Sequence, residues 1–194
     1  MISIYKKVSN DLSVSKKEVM RFLGVKKEEA TFEDLYAPCV QEVKCQASPK
    51  AAYIYVPINV TEDTVDFGFM VVKSKNLSKN LQGCDSAYIF CATLGIGVDR
   101  HYEKLSKISQ ARATVFSAVG SSLVESLCDS LNEMLIENKK ACPRFSCGYG
   151  DFSIEHQRDI LSRLDADKTL GVYLTDACMM VPVKTVTAVV GIRR

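Results

Sequence analysis

Ala51-Ala-Tyr-Ile-Tyr-Val-Pro57-Ile-Asn-Val60, then Thr61-Glu-Asp63, then Thr64-Val-Asp-Phe-Gly-Phe-Met-Val-Val72 is the stretch whose reading decides the fold. Both long runs are rich in Tyr, Ile, Val and Phe, which suit a pleated surface, and the short polar break between them reads as the turn of a hairpin. Pro57 cannot donate to a ladder, so the first run is expected at a sheet edge or with a bulge. Residues 86–94 make a third apolar, β-prone run, and residues 181–192 a β-branched run expected to close the sheet. Strands and helices interleave without a regular βαβ period. The expected class is therefore α+β, a mixed or antiparallel sheet with flanking helices.

Working outward, Ser15 can cap a helix through Leu23 that Gly24 ends, and Thr31 with Asp34 resembles a capping box for a second helix reaching about Lys44. The N-terminal region is expected to be helical. A helix over residues 98–108 precedes a long one over residues 111–138, where Phe116, Val119, Leu123, Leu127, Leu131 and Met134 recur at steps of three and four, the period of a buried helical stripe. Ser153 or Asp151 can cap a further helix through Leu164.

Bulk properties narrow the function classes. A chain of 194 residues with 47% hydrophobic content suits one domain with a substantial core. The 25 basic and 23 acidic residues are spread along the chain, leaving a net charge of +2 and no basic footprint for nucleic acid or an acidic membrane. Residues 1–10 hold too short an apolar run for a signal peptide, and no later run approaches the ~20 apolar residues that span a bilayer. A soluble, cytoplasmic protein is expected. Eight cysteines show no Cys-x-x-Cys pair and no repeated spacing, so zinc is not expected and most thiols should be reduced and buried. Cys142 and Cys147 flank a glycine-rich loop and could form a thiol switch. His101 and His156 lack partners at metal spacing and are expected at the surface.

Three places could carry chemistry. Gly95-Ile-Gly97-Val-Asp-Arg100 follows a strand and precedes a helix, but Arg100 stands where a dinucleotide loop has its third glycine, so it reads as a strand-to-helix turn. On the long helix, Ala118, Ser121, Ser122, Glu125 and Cys128 lie on neighbouring turns, and no Lys or Arg occurs between Ala113 and Asn138. Small residues around one carboxylate fit either a ligand at Glu125 or a close-packed helix interface with Glu125 at its rim. In Pro143-Arg144-Phe-Ser-Cys-Gly148-Tyr149-Gly150-Asp151, the glycines allow close approach of a ligand to the main chain. Arg144 presents a planar fork suited to a carboxylate, and Tyr149 a ring face that attracts a cation. A zwitterionic, positively charged ligand would suit that set, and so would an ordinary turn.

Arg144-Phe-Ser-Cys-Gly148-Tyr149, then Glu155-His156, then Leu174-Thr-Asp-Ala-Cys-Met-Met-Val-Pro182, then Thr185-Val-Thr187 resembles the activation domain of cobalamin-dependent methionine synthase. That family carries Arg-x-x-x-Gly-Tyr, a Glu-His pair, and Leu-Thr-Glu-Ser-x-x-Met-x-Pro leading into Ser-Val-Ser. Order and separations agree over residues 123–189. Within a single domain, 1–194, residues 111–194 bear these motifs. Residues 1–110, with Arg21-Phe-Leu-Gly24 and Ala92-Thr-Leu-Gly95, look like the compact, separately encoded clostridial-type version.

The resemblance implies a reactivation role: S-adenosylmethionine is positioned over the cobalamin of a separate methionine synthase core. One electron from a flavodoxin-like or ferredoxin-like donor then allows reductive methylation of cob(II)alamin. It implies that Arg144 holds the methionine carboxylate and that Glu125 meets the ammonium or the ribose hydroxyls. Gly148 and Tyr149 would wall the adenosine, and main-chain groups of Phe145, Ser146 and Cys147 would add hydrogen bonds. No catalytic or metal residue is implied, because the chemistry belongs to the partner's cobalt. The chain departs from the pattern at Cys147, where the family has proline, and at Thr187-Ala188, where it has Ser-Gly. The family's later tyrosine contact is expected to be absent, and its N-terminal aspartate has no counterpart. The alternative is a docking module or redox chaperone for another corrinoid methyltransferase, with no ligand of its own.

Overall fold

The computed structural model describes residues 1–25 and 30–193, with the side chains of Ala30 and Thr31 outside that description. The Thr31 cap therefore lies outside the described residues. In chain order the elements are β1 (Ser3–Lys6), α1 (Lys16–Leu23), α2 (Ala30–Gln46), β2 (Lys50–Pro57), β3 (Asn59–Val60), β4 (Thr64–Asp66), β5 (Val71–Lys73), α3 (Lys75–Asn80) and β6 (Cys84–Thr93). There follow α4 (Ile96–Ile108), α5 (Gln110–Leu135), β7 (Lys140–Ala141), α6 (Gln157–Arg163), α7 (Ala166–Leu170), β8 (Tyr173–Leu174), β9 (Met180–Val181) and β10 (Thr185–Arg193).

The α+β expectation holds. A five-stranded antiparallel sheet in the order β1-β2-β6-β10-β7 divides the molecule. Alternate side chains of a strand face opposite sides, and here both sides are buried. Ala51, Phe90, Ala92, Ala188 and Val190 face α1, α2, α4 and α5 in one core. Ala52, Ile54, Val56, Ala87, Ile89, Cys91 and Val189 face α3, α6, α7 and the small sheet β3-β4-β5 in the other. None of the described helices is long and apolar enough to cross a membrane.

Several expectations are corrected. The quoted hairpin is not one pair of long strands. β2 stops at Pro57, and the second run breaks into β4 and β5 around Gly68, whose φ of +81° and N–H bond to Asp66 Oδ1 (2.7 Å) make a tight turn. Pro57 lies in an interior strand, yet β1 pairs only with residues 50–53, so the flank of Pro57 toward β1 has no ladder to donate to. The N-terminal region is not wholly helical, since β1 adds to the edge of β2. Gly24 at φ +68° and Ser15 accepting from the Glu18 N–H bound α1 as expected. On α5 the stripe from Phe116 to Leu131 is fully buried, but it continues at Leu135, four residues on, and Met134 is exposed. The closing strand begins at Thr185, with residues 180–181 paired to β8 instead. His101 is half-buried, with Nε2 3.2 Å from Glu42 Oε2 and its ring 5.0 Å from that of Phe116, tying together α2, α4 and α5. His156 is likewise half-buried, beside Asp159.

Candidate functional site

The segment after α5 returns beside β10. Cys142 N–H donates to Gly191 C=O (2.8 Å), and Phe145 exchanges both main-chain bonds with Val189 (3.0 and 2.9 Å). This extended run sends adjacent side chains to opposite faces. Phe145 enters the second core against Phe152, while Arg144 turns toward α5. There Arg144 Nη2 lies 3.0 Å from Glu125 Oε2 and 2.9 Å from Asp129 Oδ1. The helix supplies both carboxylates one turn apart, at i and i+4.

Around this pair opens a pocket of about 270 Å³, lined by Glu125, Arg144, Ser146, Cys147, Tyr149 and Gln157, with Met180 and the strand residues 185–188 closing it. Val189 directs its N–H and C=O to Phe145, so Thr187, two residues earlier, directs its own to the same edge. β7 pairs only with Ile192 and Arg193, leaving no strand opposite Thr187. Three polar atoms of this lining are buried without a hydrogen-bond partner: Arg144 Nη1, Gln157 Oε1 and Thr187 Oγ1. The Cys128 thiol lies beside Arg144 and the Cys147 thiol beside Thr187. Sulfur is a weak acceptor and does little to satisfy such groups. Leaving a buried donor or acceptor unpaired costs about 1–3 kcal/mol, and these three fall together in the wall of one pocket.

The loop geometry explains its glycines. Gly148 adopts φ +90° while its N–H donates to Phe152 C=O (2.7 Å). Gly150 adopts φ +56°, and a Cβ there would lie 2.2 Å from Asn76 Nδ2. Asp151 does not cap the helix that follows; Ser153 caps the 3-10 turn Ile154–His156 leading into α6, its side chain accepting from the Glu155 N–H. The Asp151 carboxylate instead accepts from the Ser74 hydroxyl and from the N–H groups of Lys75 (2.8 Å) and Asn76 (3.2 Å), tying the loop to α3. The Ser74 bond first, then these N–H groups, hold its carboxyl below the ordinary range. Tyr149 stands at the pocket rim, 60% exposed.

Of the residues singled out from sequence, Glu125, Arg144, Ser146, Cys147 and Tyr149 come together. Phe145 and Gly148 do not line the pocket. Both main-chain groups of Phe145, expected to bond the ligand, pair with Val189. The small-residue face of α5 is shared. Ser122 bonds to Ser15 N–H (3.0 Å) and to Glu18, whereas Ser117 and Ser121 each receive Lys184 Nζ at 2.9 Å. Helix packing thus accounts for most of that face and leaves Glu125 to the pocket. Sequence reasoning missed Gln157 and Asp129. The first follows the Glu155-His156 motif directly, and the second sits at i+4 from Glu125. Met180 and Thr185 to Thr187 lay within motifs quoted above but were given no role.

Cys142 and Cys147, the pair considered for a thiol switch, do not meet in the structure. Cys142 Sγ lies 3.3 Å from Cys84 Sγ, so its partner is Cys84, while Cys147 belongs to the second core. Burial above all pushes the Cys147 and Cys128 thiols up to about 12 and those of Cys39 and Cys84 to about 11. A thiol at about 12 has roughly a thousandth of the thiolate of an ordinary one at pH 8. Disulfide-exchange labelling of the native protein should therefore modify exposed Cys45 first, half-buried Cys178 next, and the six buried thiols only on unfolding. Peptide mapping that found Cys147 labelled early would contradict the burial of this wall.

No protein-family model and no curated protein matches the sequence. Among solved structures, the chain is similar to the MetH reactivation domain bound to AdoHcy, with a TM-score of 0.74 at 12% identity over 98% of this chain and 78% of that one. At this identity the likeness establishes the fold: the curled antiparallel sheet and flanking helices are those of that domain.

Proposed function

We propose that the chain is an S-adenosylmethionine-binding reactivation component of a cobalamin-dependent methionine synthase, supporting reductive methylation of cob(II)alamin carried by a separate core protein. The observation that carries this reading is the cluster of unpartnered Arg144 Nη1, Gln157 Oε1 and Thr187 Oγ1 around the Glu125–Arg144 pair, within a fold whose solved relative holds AdoHcy. Arg144 would meet the ligand carboxylate through its fork, and Glu125 the ammonium or the ribose hydroxyls. Gln157 and Thr187 would pair with polar groups of the ligand, and Tyr149 would cover the adenosine from the rim.

S-adenosylmethionine supplies the methyl group, the partner's cobalamin the nucleophile, and a flavodoxin-like or ferredoxin-like protein one electron. Cob(II)alamin, the electron and S-adenosylmethionine give methylcobalamin and S-adenosylhomocysteine. The chain's own contribution is orientation, which can account for several kcal/mol of a barrier when reacting atoms are held in line. A pocket of about 270 Å³ sits just below the ~300–1,000 Å³ usual for small-molecule sites. It encloses part of such a ligand and leaves the rest for a docked surface.

Isothermal titration of the wild type with S-adenosylmethionine should give one site per chain, tighter when the partner's cobalamin module is present. Absence of heat both alone and with that module would reject the reading. Binding to the module that is indifferent to S-adenosylmethionine would favour the docking-module alternative.

A further inference from the structure

Among the side chains lining the pocket, only Glu125 and Arg144 carry charge, since the Cys147 thiol at about 12 stays neutral. Asp129 stands immediately behind. Its Oδ1 is 2.9 Å from the same Nη2 that Glu125 Oε2 meets at 3.0 Å. Two carboxylates against one guanidinium leave this ion-pair cluster with one excess negative charge, while Lys184, whose Nζ is held at Ser121 one turn before Glu125, is balanced by Asp99. That excess is not needed to hold Arg144, which already has Glu125 and the extended backbone of its own segment. It also works against a ligand carboxylate, which must share the guanidinium with both acids. Gln157 and Thr187, 6% and 2% exposed, line the same pocket, and each carries a buried polar atom without a hydrogen-bond partner. Polar recognition there consequently does not depend on the acidic pair alone.

Resting on the functional reading above, we infer that Asp129 is a specificity-determining residue. Its surplus carboxylate biases the site toward the sulfonium methyl donor and against the demethylated product. S-adenosylmethionine carries a carboxylate, an ammonium and a sulfonium, one net positive charge; S-adenosylhomocysteine lacks the sulfonium charge and is neutral overall. Arg144, Glu125, Gln157 and Thr187 meet groups that the two ligands share, so they contribute little to the difference. A sulfonium a few bonds beyond a carboxylate bound at Arg144 would stand about 8–10 Å from Asp129. At that range, with the water-like effective dielectric of about 40–80 that suits an exposed carboxylate, two unit charges bias binding by about two- to fivefold. Asp129 is 66% exposed in its side chain, so the bias belongs at the screened end of Coulomb's law and should fade as salt is raised. The physical benefit is release: after methyl transfer the site holds a ligand that has lost its attraction to the surplus charge.

The test is the ratio of the dissociation constants for S-adenosylhomocysteine and S-adenosylmethionine, measured by titration on the wild type, Asp129→Asn and Asp129→Glu at low and high salt. Asp129→Asn should lower the ratio about two- to fivefold, while tightening both ligands because Arg144 loses a competitor; Asp129→Glu should preserve the ratio. A residue that merely propped Arg144 would move both constants together and leave the ratio alone, and that result overturns the inference while the site stands. A wild type that binds neither ligand overturns the functional reading, and this inference with it.

Discussion

Arg144→Ala should abolish reductive methylation of the partner's cob(II)alamin and weaken S-adenosylmethionine binding about 10- to 100-fold, with the fold retained. A charge-assisted pair between a guanidinium and a carboxylate is worth roughly 1.5–3 kcal/mol, one to two powers of ten in affinity. The geometry adds to that loss. Arg144 is the one cation between Glu125 and Asp129, so its removal leaves two carboxylates one turn apart facing the ligand's own carboxylate. Arg144→Lys restores the charge as a compact ammonium without the planar fork, and should recover only part of the binding. The folded state should tolerate both changes, because Glu125 and Asp129 reach solvent and can hydrate once unpaired. Circular dichroism checks the fold, titration the affinity, and cobalamin absorbance the methylation. Methylation at the wild-type rate in Arg144→Ala would dismiss the assigned site outright.

Residues conspicuous in their local context are legible in the sequence, and those whose place in the pocket depends on burial are not. Glu125 is the first charged residue after Arg112 in a run of small and apolar residues, and Arg144 opens a glycine-rich loop, so both are visible in one dimension. Gln157 and Thr187 are ordinary residues in ordinary segments. They become significant only because the fold buries them without partners, a tertiary property with no sequence signature. Asp129 likewise looks like a solvated helix position until Arg144 returns beside it from 15 residues downstream.

The same division runs through the fold. β2 and β6 carry apolar side chains toward both cores over most of their length, so their strand character is legible from composition. β1, four residues long, is a strand because the edge of β2 pairs with it. The strands β3, β4 and β5 run two to three residues, too short to show a period, and the turn at Gly68 defines the last two. α3 and α7, of six and five residues, also fall below the length at which helical periodicity emerges. α3 owes its start to Ser74 and to a carboxylate 77 residues away from that serine, at Asp151. Capping at that distance in sequence cannot be seen from the helix's own residues.

Gly97→Ala should lower the melting temperature by about 2–8 °C without lowering the affinity of the folded protein for S-adenosylmethionine. Gly97 lies in the first turn of α4, where the last residue of α2 crosses it. An alanine Cβ would stand 2.4 Å from the Gln46 carbonyl oxygen, a backbone atom that no rotamer change can move. One helix must shift from the other, and forced overpacking of this kind costs about 1–3 kcal/mol. For a chain of this size each kcal/mol corresponds to about 2–4 °C. Helix propensity pulls the opposite way, since alanine is favoured over glycine by up to ~1 kcal/mol, so a higher melting temperature would show that the clash relaxes freely. The neighbouring Gly95, at φ +79°, is needed for its backbone angle, and neither glycine lines the pocket at Arg144. The strand-to-helix turn expected at residues 95–100 thus owes its paired glycines to one positive-φ, extended N-cap and one close helix crossing. Were this segment a phosphate-binding loop, Gly97→Ala would abolish ligand binding at temperatures where the protein remains folded, and that outcome would move the site away from Arg144.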